Sequence, residues 1–201
     1  MQAGSRPRIC VYCASRQGSD PANHEAAATV GKLLVDRGAD LVYGGGHVGL
    51  MGMVADAVLT GGGHVTGVIP QHLVDMEEAH SGLSDLRVVA DMSERKRMMF
   101  DLSDGFLTLP GGLGTMEEMF EVLTWQYLGL HSKPVGLLNV EGYYDHLIAF
   151  LDSGRDRKLI SDRARSVLID STDPEQLIDD LLEVVARNGH STAPNCESQS
   201  V

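Results

Sequence analysis

Residues 109–118, Leu109-Pro110-Gly111-Gly112-Leu113-Gly114-Thr115-Met116-Glu117-Glu118, join two apolar runs of different period. The run before them, Gly105 to Leu109, is short and continuous, as a fully buried strand is, whereas Met119 to Trp125 is amphipathic at helical spacing. The stretch reads as strand, turn and helix, with Pro110 closing the strand. Gly111, Gly112 and Gly114 carry no Cβ, so backbone can approach a ligand closely, and successive N–H groups at a helix start can converge on an anion. Thr115 adds a hydroxyl at the same place. Glu117 and Glu118 are expected on the first helical turn, where the helix dipole favours negative charge. A phosphate grip and an acid–base candidate then stand side by side; the plainer alternative is a tight turn before a helix capped by acidic residues.

Outward from that turn the chain alternates. Strands are expected at Arg8 to Tyr12, Asp40 to Tyr43, His64 to Ile69, Leu86 to Val89, Phe106 to Leu109, Pro134 to Asn139 and Arg165 to Ile169. Helices fall between them: from Asp20-Pro21 to Arg37, Leu50 to Thr60, Ser93 to Leu102, Thr115 to Gln126 and Tyr143 to Leu151, with a last one from Thr172-Asp173-Pro174-Glu175 to about Asn188-Gly189. Asp before Pro is an N-cap followed by a residue suited to the first helical position, and glycines mark the stops. Strands alternating with helices over short loops predict an α/β protein: an open parallel sheet of about seven strands with helices on both faces. Residues 1–189 are expected to form one domain, and 190–201 a polar, disordered tail.

The 201 residues carry a formal net charge of -12 and are 43% hydrophobic. That charge argues against nucleic acid or an anionic membrane as partner, so an anionic ligand needs a local positive cluster. No apolar run approaches the roughly 20 residues of a membrane span, and the polar start MQAGSRPR lacks a signal-peptide core, so a cytoplasmic protein is expected. Cys10-Val11-Tyr12-Cys13 matches C-x-x-C, but it lies in an apolar strand, without the helix start of a redox pair or the further ligands of a zinc site, and reads as buried thiols. The histidines, His24, His47, His64 and His131 among them, form no ligand-spaced pair.

Two further stretches bear on the ligand. Gly44-Gly45-Gly46-His47-Val48-Gly49 formally matches the dinucleotide fingerprint, yet no acidic residue closes the next strand to hold a ribose, and no Gly-Lys-Ser/Thr ending marks an NTP loop. Two glycine clusters without those marks suggest a mononucleotide or sugar phosphate held from two sides. Arg95, Lys96 and Arg97 open a helix, against the dipole; a bound anion would account for them, as would solvation or pairing with Asp91 and Glu94.

Pro110-Gly111-Gly112-Leu113-Gly114-Thr115-Met116-Glu117-Glu118, with Arg95-Lys96 and Gly44-Gly45-Gly46 to Gly49-Leu50-Met51-Gly52 upstream, resembles the LONELY GUY (LOG) family of cytokinin riboside 5′-monophosphate phosphoribohydrolases, often labelled lysine decarboxylases. The resemblance covers about Arg8 to Arg187. It implies a Rossmann-like homodimer that hydrolyses the N-glycosidic bond of nucleoside 5′-monophosphates, such as a cytokinin riboside 5′-monophosphate or AMP, with no cofactor and no metal. By position it implies Arg95 and Glu118 as catalytic, with substrate contacts at Glu77, Lys96, Gly111, Gly112, Leu113, Gly114, Thr115 and Thr124, and Gly45 and Gly46 in the other glycine turn. Many members have His where Ser93 stands and Arg where Met76 stands, which leaves the preferred base open. The chemistry of the residues agrees: a carboxylate such as Glu118 can stabilise an oxocarbenium-like sugar and orient water, as in glycoside hydrolysis.

Two rival readings share some of these residues. A nucleotide sensor would share the glycines and cations without needing Glu118 and Glu77. A pyridoxal-phosphate lysine decarboxylase needs a Schiff-base lysine, and of Lys32, Lys96, Lys133 and Lys158 only Lys96 lies near the expected site. Met98, Met99, Phe100, Met119, Phe120 and Trp125 on two helices suggest a two-fold dimer interface.

Overall fold

The computed structural model describes residues 6–77 and 79–191. Seven strands, β1 (Arg8–Tyr12), β2 (Asp40–Tyr43), β3 (Val65–Pro70), β4 (Asp85–Val89), β5 (Gly105–Thr108), β6 (Val135–Leu138) and β7 (Leu168–Ser171), form one sheet in the order β4-β3-β2-β1-β5-β6-β7, every pair parallel. The helices are α1 (Pro21–Asp36), α2 (Gly49–Thr60), α3 (Gln71–Glu77), α4 (Met92–Leu102), α5 (Leu113–Tyr127), α6 (Asp145–Asp156), α7 (Asp162–Ser166) and α8 (Pro174–Ser191), with a 3-10 turn at Val140–Gly142.

Successive residues of a buried strand point to opposite faces, and the core divides accordingly. Ile9 and Val11 of β1 join Leu41, Tyr43 and Leu107 under α1, α2 and α8, while Cys10 and Tyr12 join Val42 and Phe106 under α4, α5 and α6. Cys10 and Cys13 therefore belong to different cores, on opposite sides of the sheet. They are two separate buried thiols. Both faces of β1, β5 and β6 are covered, which is why those strands read as unbroken apolar runs.

The helix caps behave as their residues dictate. Asp20 accepts from Ala22 N–H with Pro21 at the first helical position, and Asp91 accepts from Glu94 N–H at the head of α4. Three features differ from the sequence expectation. The short helices α3 and α7 were not foreseen, being too brief to show a period. β7 runs Leu168–Ser171 instead of 165–169, because Ser161 caps α7 and draws Arg165 into it, where the guanidinium reaches Asp152 and Asp170 at 2.8 Å each. α8 continues through Gly189 to Ser191, and the remainder of the expected tail, 192–201, lies outside the described residues.

The apolar groups of α4 and α5 are used within the protomer. Met99 and Met119 are fully buried, Met98 and Phe120 pack on the same core, and Phe100 stacks on Phe106 at 5.7 Å and meets the edge of Trp125 at 5.1 Å. Met98, Phe100, Phe120 and Trp125 stay half-buried, so part of their surface faces outward.

Candidate active site

The chain walks outward from β1 to β4, returns through α4 to β5 on the other side of β1, and walks outward again to β7. Where strand order reverses, the loops leaving β1 and β5 part and leave a crevice at the carboxyl ends of the strands. A cleft of about 470 Å³ lies there, between the loop Ala14–Gly18, the turn Pro110–Thr115, and the side chains of Arg95, Glu118 and Tyr143. Small-molecule sites are usually about 300–1,000 Å³.

The turn is pinned from outside. Tyr144 Oη donates to Leu109 O at 2.8 Å, Ala14 N–H to Pro110 O at 3.1 Å, and Tyr143 Oη to Gly111 O at 2.8 Å. Tyr144 is placed by Asn139, whose side-chain oxygen accepts from Tyr144 N–H while its amide donates to Asp145. In a trans peptide C=O and N–H point opposite ways, so anchoring the carbonyls of Pro110 and Gly111 sets the directions of the N–H groups of Gly111 and Gly112. Gly111 has no room for a side chain, since a Cβ there would collide with Thr115, whereas a Cβ on Gly112 or Gly114 would meet nothing within 4 Å.

α5 starts one residue after Gly112, which offers no side-chain cap, and its first turn holds no acidic residue. Glu117 and Glu118 fall on the second turn, which corrects the sequence expectation. The correction strengthens the anion reading, because no carboxylate competes for the positive end of the helix dipole.

Arg95 is 5% exposed, buried under the sheet end. Its Nε donates to Val68 O at 3.1 Å and its Nη2 to Gly44 O at 2.8 Å, while Nη1 lies 3.9 Å from Glu118 Oε1. Gly44 is glycine because a Cβ there would land on that guanidinium. Helical spacing sends the three consecutive cations in different directions. Lys96 bonds Glu117 and Glu121 of α5, and Arg97 bonds Asp101. The cations of α4 thus have protein partners, and not the Asp91 or Glu94 considered from sequence. Burial lowers the Lys96 pKa, but the Glu117 and Glu121 carboxylates outweigh it, so the amine is held above its ordinary value.

The thiols and the phenol near Glu118 are held protonated. Burial first, and then the nearby Glu118 charge, push the Cys10 and Cys13 thiols upward, and burial, then Cys10 and Glu118, raise the Tyr12 phenol. Cys13, which lines the cleft, therefore offers no thiolate base. Among the described residues no group of three or more His, Cys, Asp or Glu is arranged to hold a metal, and no lysine lines the cleft.

Of the residues singled out from sequence, the fold brings Arg95, Glu118, Gly111, Gly112, Leu113, Gly114 and Thr115 to this one cleft. Leu113 stands at its rim, 91% exposed. Others lie elsewhere. Gly45 packs over Ile69 and its carbonyl accepts from His80 N–H, and Gly46 bridges to Ala79, so both serve the frame of the sheet. Thr124 is on the exposed face of α5, about 13 Å along the helix from Thr115. Glu77 ends α3, and its side chain lies outside what the structure describes. Sequence reasoning missed Tyr143, Tyr144 and Arg16; the first two follow a 3-10 turn that no periodicity announces, and Arg16 sits in a run read only as polar loop.

With its cleft at the reversal of strand order, the chain is a Rossmann-like α/β protein of the kind that takes a small ligand at the switch point. Solved structures share the fold: a molybdenum cofactor binding protein from Rippkaea orientalis (TM-score 0.70, 21% identity, covering 91% of this chain and 99% of that one) and the Moco carrier protein from Chlamydomonas reinhardtii (TM-score 0.69, 20% identity, 91% and 99%). At the level of sequence, the family model described as possible lysine decarboxylase matches residues 51–181. The chain is 49% identical over 176 residues to a cytokinin riboside 5′-monophosphate phosphoribohydrolase of Arabidopsis thaliana, covering 88% of this chain and 81% of the relative. It is 45% identical to one of Oryza sativa subsp. japonica, covering 96% and 84%. The chain belongs to this family, the LONELY GUY (LOG) phosphoribohydrolases.

Proposed function

We propose that the protein hydrolyses the N-glycosidic bond of nucleoside 5′-monophosphates, a cytokinin riboside 5′-monophosphate or AMP, to free base and ribose 5-phosphate. The observation that carries this reading is the pair of buried Arg95 and half-buried Glu118 at 3.9 Å, set in a cleft whose other wall is the uncapped, acid-free start of α5. The 5′-phosphate accepts from the N–H groups of the Gly111–Thr115 turn, where Gly112 and Gly114 leave open space. This places the sugar over the second turn of α5, within reach of Glu118. As the bond from C1′ to the base nitrogen breaks, the carboxylate stabilises the cationic sugar and orients water; the water oxygen bonds to C1′, and its proton passes to the departing base. Arg95 lies against Glu118 and aims it, using a guanidinium whose other nitrogens are fixed by Gly44 O and Val68 O.

A lysine decarboxylase would require an amine able to lose its proton at the site. Lys96 is held protonated by two carboxylates, and Lys133, whose pKa burial lowers, donates to Phe100 O at 2.6 Å ahead of β6, at the opposite ends of the strands. The residues present do not fit that chemistry. A sensor would have no use for a carboxylate aimed by a buried arginine. The working form in this reading is a homodimer in the cytoplasm, with Tyr127, Leu128 and Leu130, which are 42%, 61% and 70% exposed at the end of α5, as part of the contact; sedimentation at micromolar concentration checks it. The activity itself is checked by incubating the protein with a panel of nucleoside 5′-monophosphates and separating the released bases. No base released from any of them would refute it.

A further inference from the structure

The overall charge of -12 and the Glu117 and Glu118 carboxylates on the cleft wall make a phosphate dianion an unwelcome visitor unless a cation meets it. Lys96 is committed to Glu117 and Glu121, and Arg95 is committed to two carbonyls and to Glu118. The remaining arginine on the cleft is Arg16, in the loop after β1. Its side chain is exposed, and among the described residues no hydrogen bond or ion pair engages it.

Its backbone, in contrast, is tightly placed. A Cβ on Gly49, at the start of α2, would sit 2.5 Å from Ser15 C and 2.6 Å from Arg16 N, so the loop rests directly on that glycine. Ala14 ties the same loop to both neighbours, donating to Pro110 O at 3.1 Å and accepting from Met51 N–H at 3.3 Å. The first glycine cluster thereby seats two arginines: Gly44 lets in the Arg95 side chain, and Gly49 lets in the Arg16 backbone. One ends up buried and spoken for, the other anchored at its root with a free, charged head beside the turn.

We propose that Arg16 is a specificity-determining residue that pairs with the phosphate of the substrate across from the Gly111–Thr115 turn. The inference rests on the phosphoribohydrolase reading above. It makes the charge of the substrate, more than its base, the property read at the mouth of the cleft. A hydrogen bond to a charged group corresponds to about a 10- to 100-fold change in affinity, and at an exposed position part of it is screened by salt.

The test compares wild type, Arg16→Ala and Arg16→Lys on AMP and adenosine, with steady-state release of adenine, and with AMP and adenosine binding measured calorimetrically in a Glu118→Gln background that prevents turnover. Arg16→Ala should raise KM and Kd for AMP about 10-fold or more with kcat little changed, remove most of the salt dependence of KM, and leave activity on adenosine unchanged; Arg16→Lys should recover part of the loss. An unchanged AMP affinity in Arg16→Ala overturns the proposal, as does an equal loss for adenosine, which would mean that the loop had moved. Should wild type release no base from any monophosphate, the enzymatic reading fails by itself, and the binding arm still decides Arg16.

Discussion

Replacing Gly44 by Ala isolates what the first glycine cluster does. The new methyl would land on Arg95 Nη2, with Met51 Sδ 3.1 Å and Arg95 Cζ 3.2 Å away, so the guanidinium has to leave its place. Leaving breaks the bond from Nη2 to Gly44 O and draws Nη1 from Glu118. A hydrogen bond to a buried charge contributes about 1.5–3 kcal/mol, and overpacking adds about 1–3 kcal/mol. A destabilisation of about 2.5–6 kcal/mol is therefore expected, read as a lowered urea midpoint. Turnover should suffer as well, since a 1 Å displacement in a catalytic site costs about 10²-fold. The control is the same substitution in an Arg95→Met background, where the group that clashes is gone and the cost of Gly44→Ala should drop to about 1 kcal/mol or less. Equal costs in both backgrounds would refute the idea that Gly44 exists to admit Arg95.

Tyr143→Phe removes one neutral hydrogen bond, to Gly111 O, at an exposed position; stability should change by less than about 1 kcal/mol, while the KM for AMP rises severalfold and that for adenosine does not, measured by adenine release. Gly31→Ala should destabilise by about 1–3 kcal/mol in urea unfolding, because the added Cβ would meet Ala57 Cβ at 2.6 Å and Val54 O at 2.8 Å where α1 crosses α2. His131 Nε2 donates to Val122 O and its Nδ1 accepts from Lys133 N–H, and burial holds its pKa below the ordinary 6.5. The unfolded chain takes that proton first, so this contribution to stability is complete above about pH 6.5 and is lost as pH falls through the lowered value. The melting temperature should fall between pH 7 and pH 5, and less steeply in His131→Gln.

Much of the fold was readable because β1, β2, β5 and β6 are continuous apolar runs and the helices between them have Asp caps and Gly stops. α3 and α7 were hidden by brevity, and β7 was misplaced because Arg165 looks like strand edge until Asp152 and Asp170 are seen to hold it on a helix. At the site, Arg95, Glu118 and the Gly111–Thr115 turn were visible as residue types with a purpose at their position. Their surroundings were not. That Glu118 is on the second turn depends on helix start, an uncertain matter of one or two residues in any sequence. That Lys96 is spent on α5, that Thr124 lies two turns beyond Glu117 and outside the cleft lining, and that Gly45 and Gly46 brace the sheet all depend on which elements meet across β1, which no local pattern encodes. Tyr143 and Tyr144 reach the turn from some 30 residues along the chain, through hydrogen bonds only the tertiary structure reveals.

The central claim is that Glu118 does the chemistry while the turn holds the phosphate. Single-turnover release of adenine from AMP by Glu118→Gln tests it most directly, because the amide keeps the shape of the side chain and removes only its charge. The account predicts a fall of about 10²–10⁴-fold in the rate, with AMP affinity within a few-fold of wild type. A variant that releases adenine at the wild-type rate would contradict it.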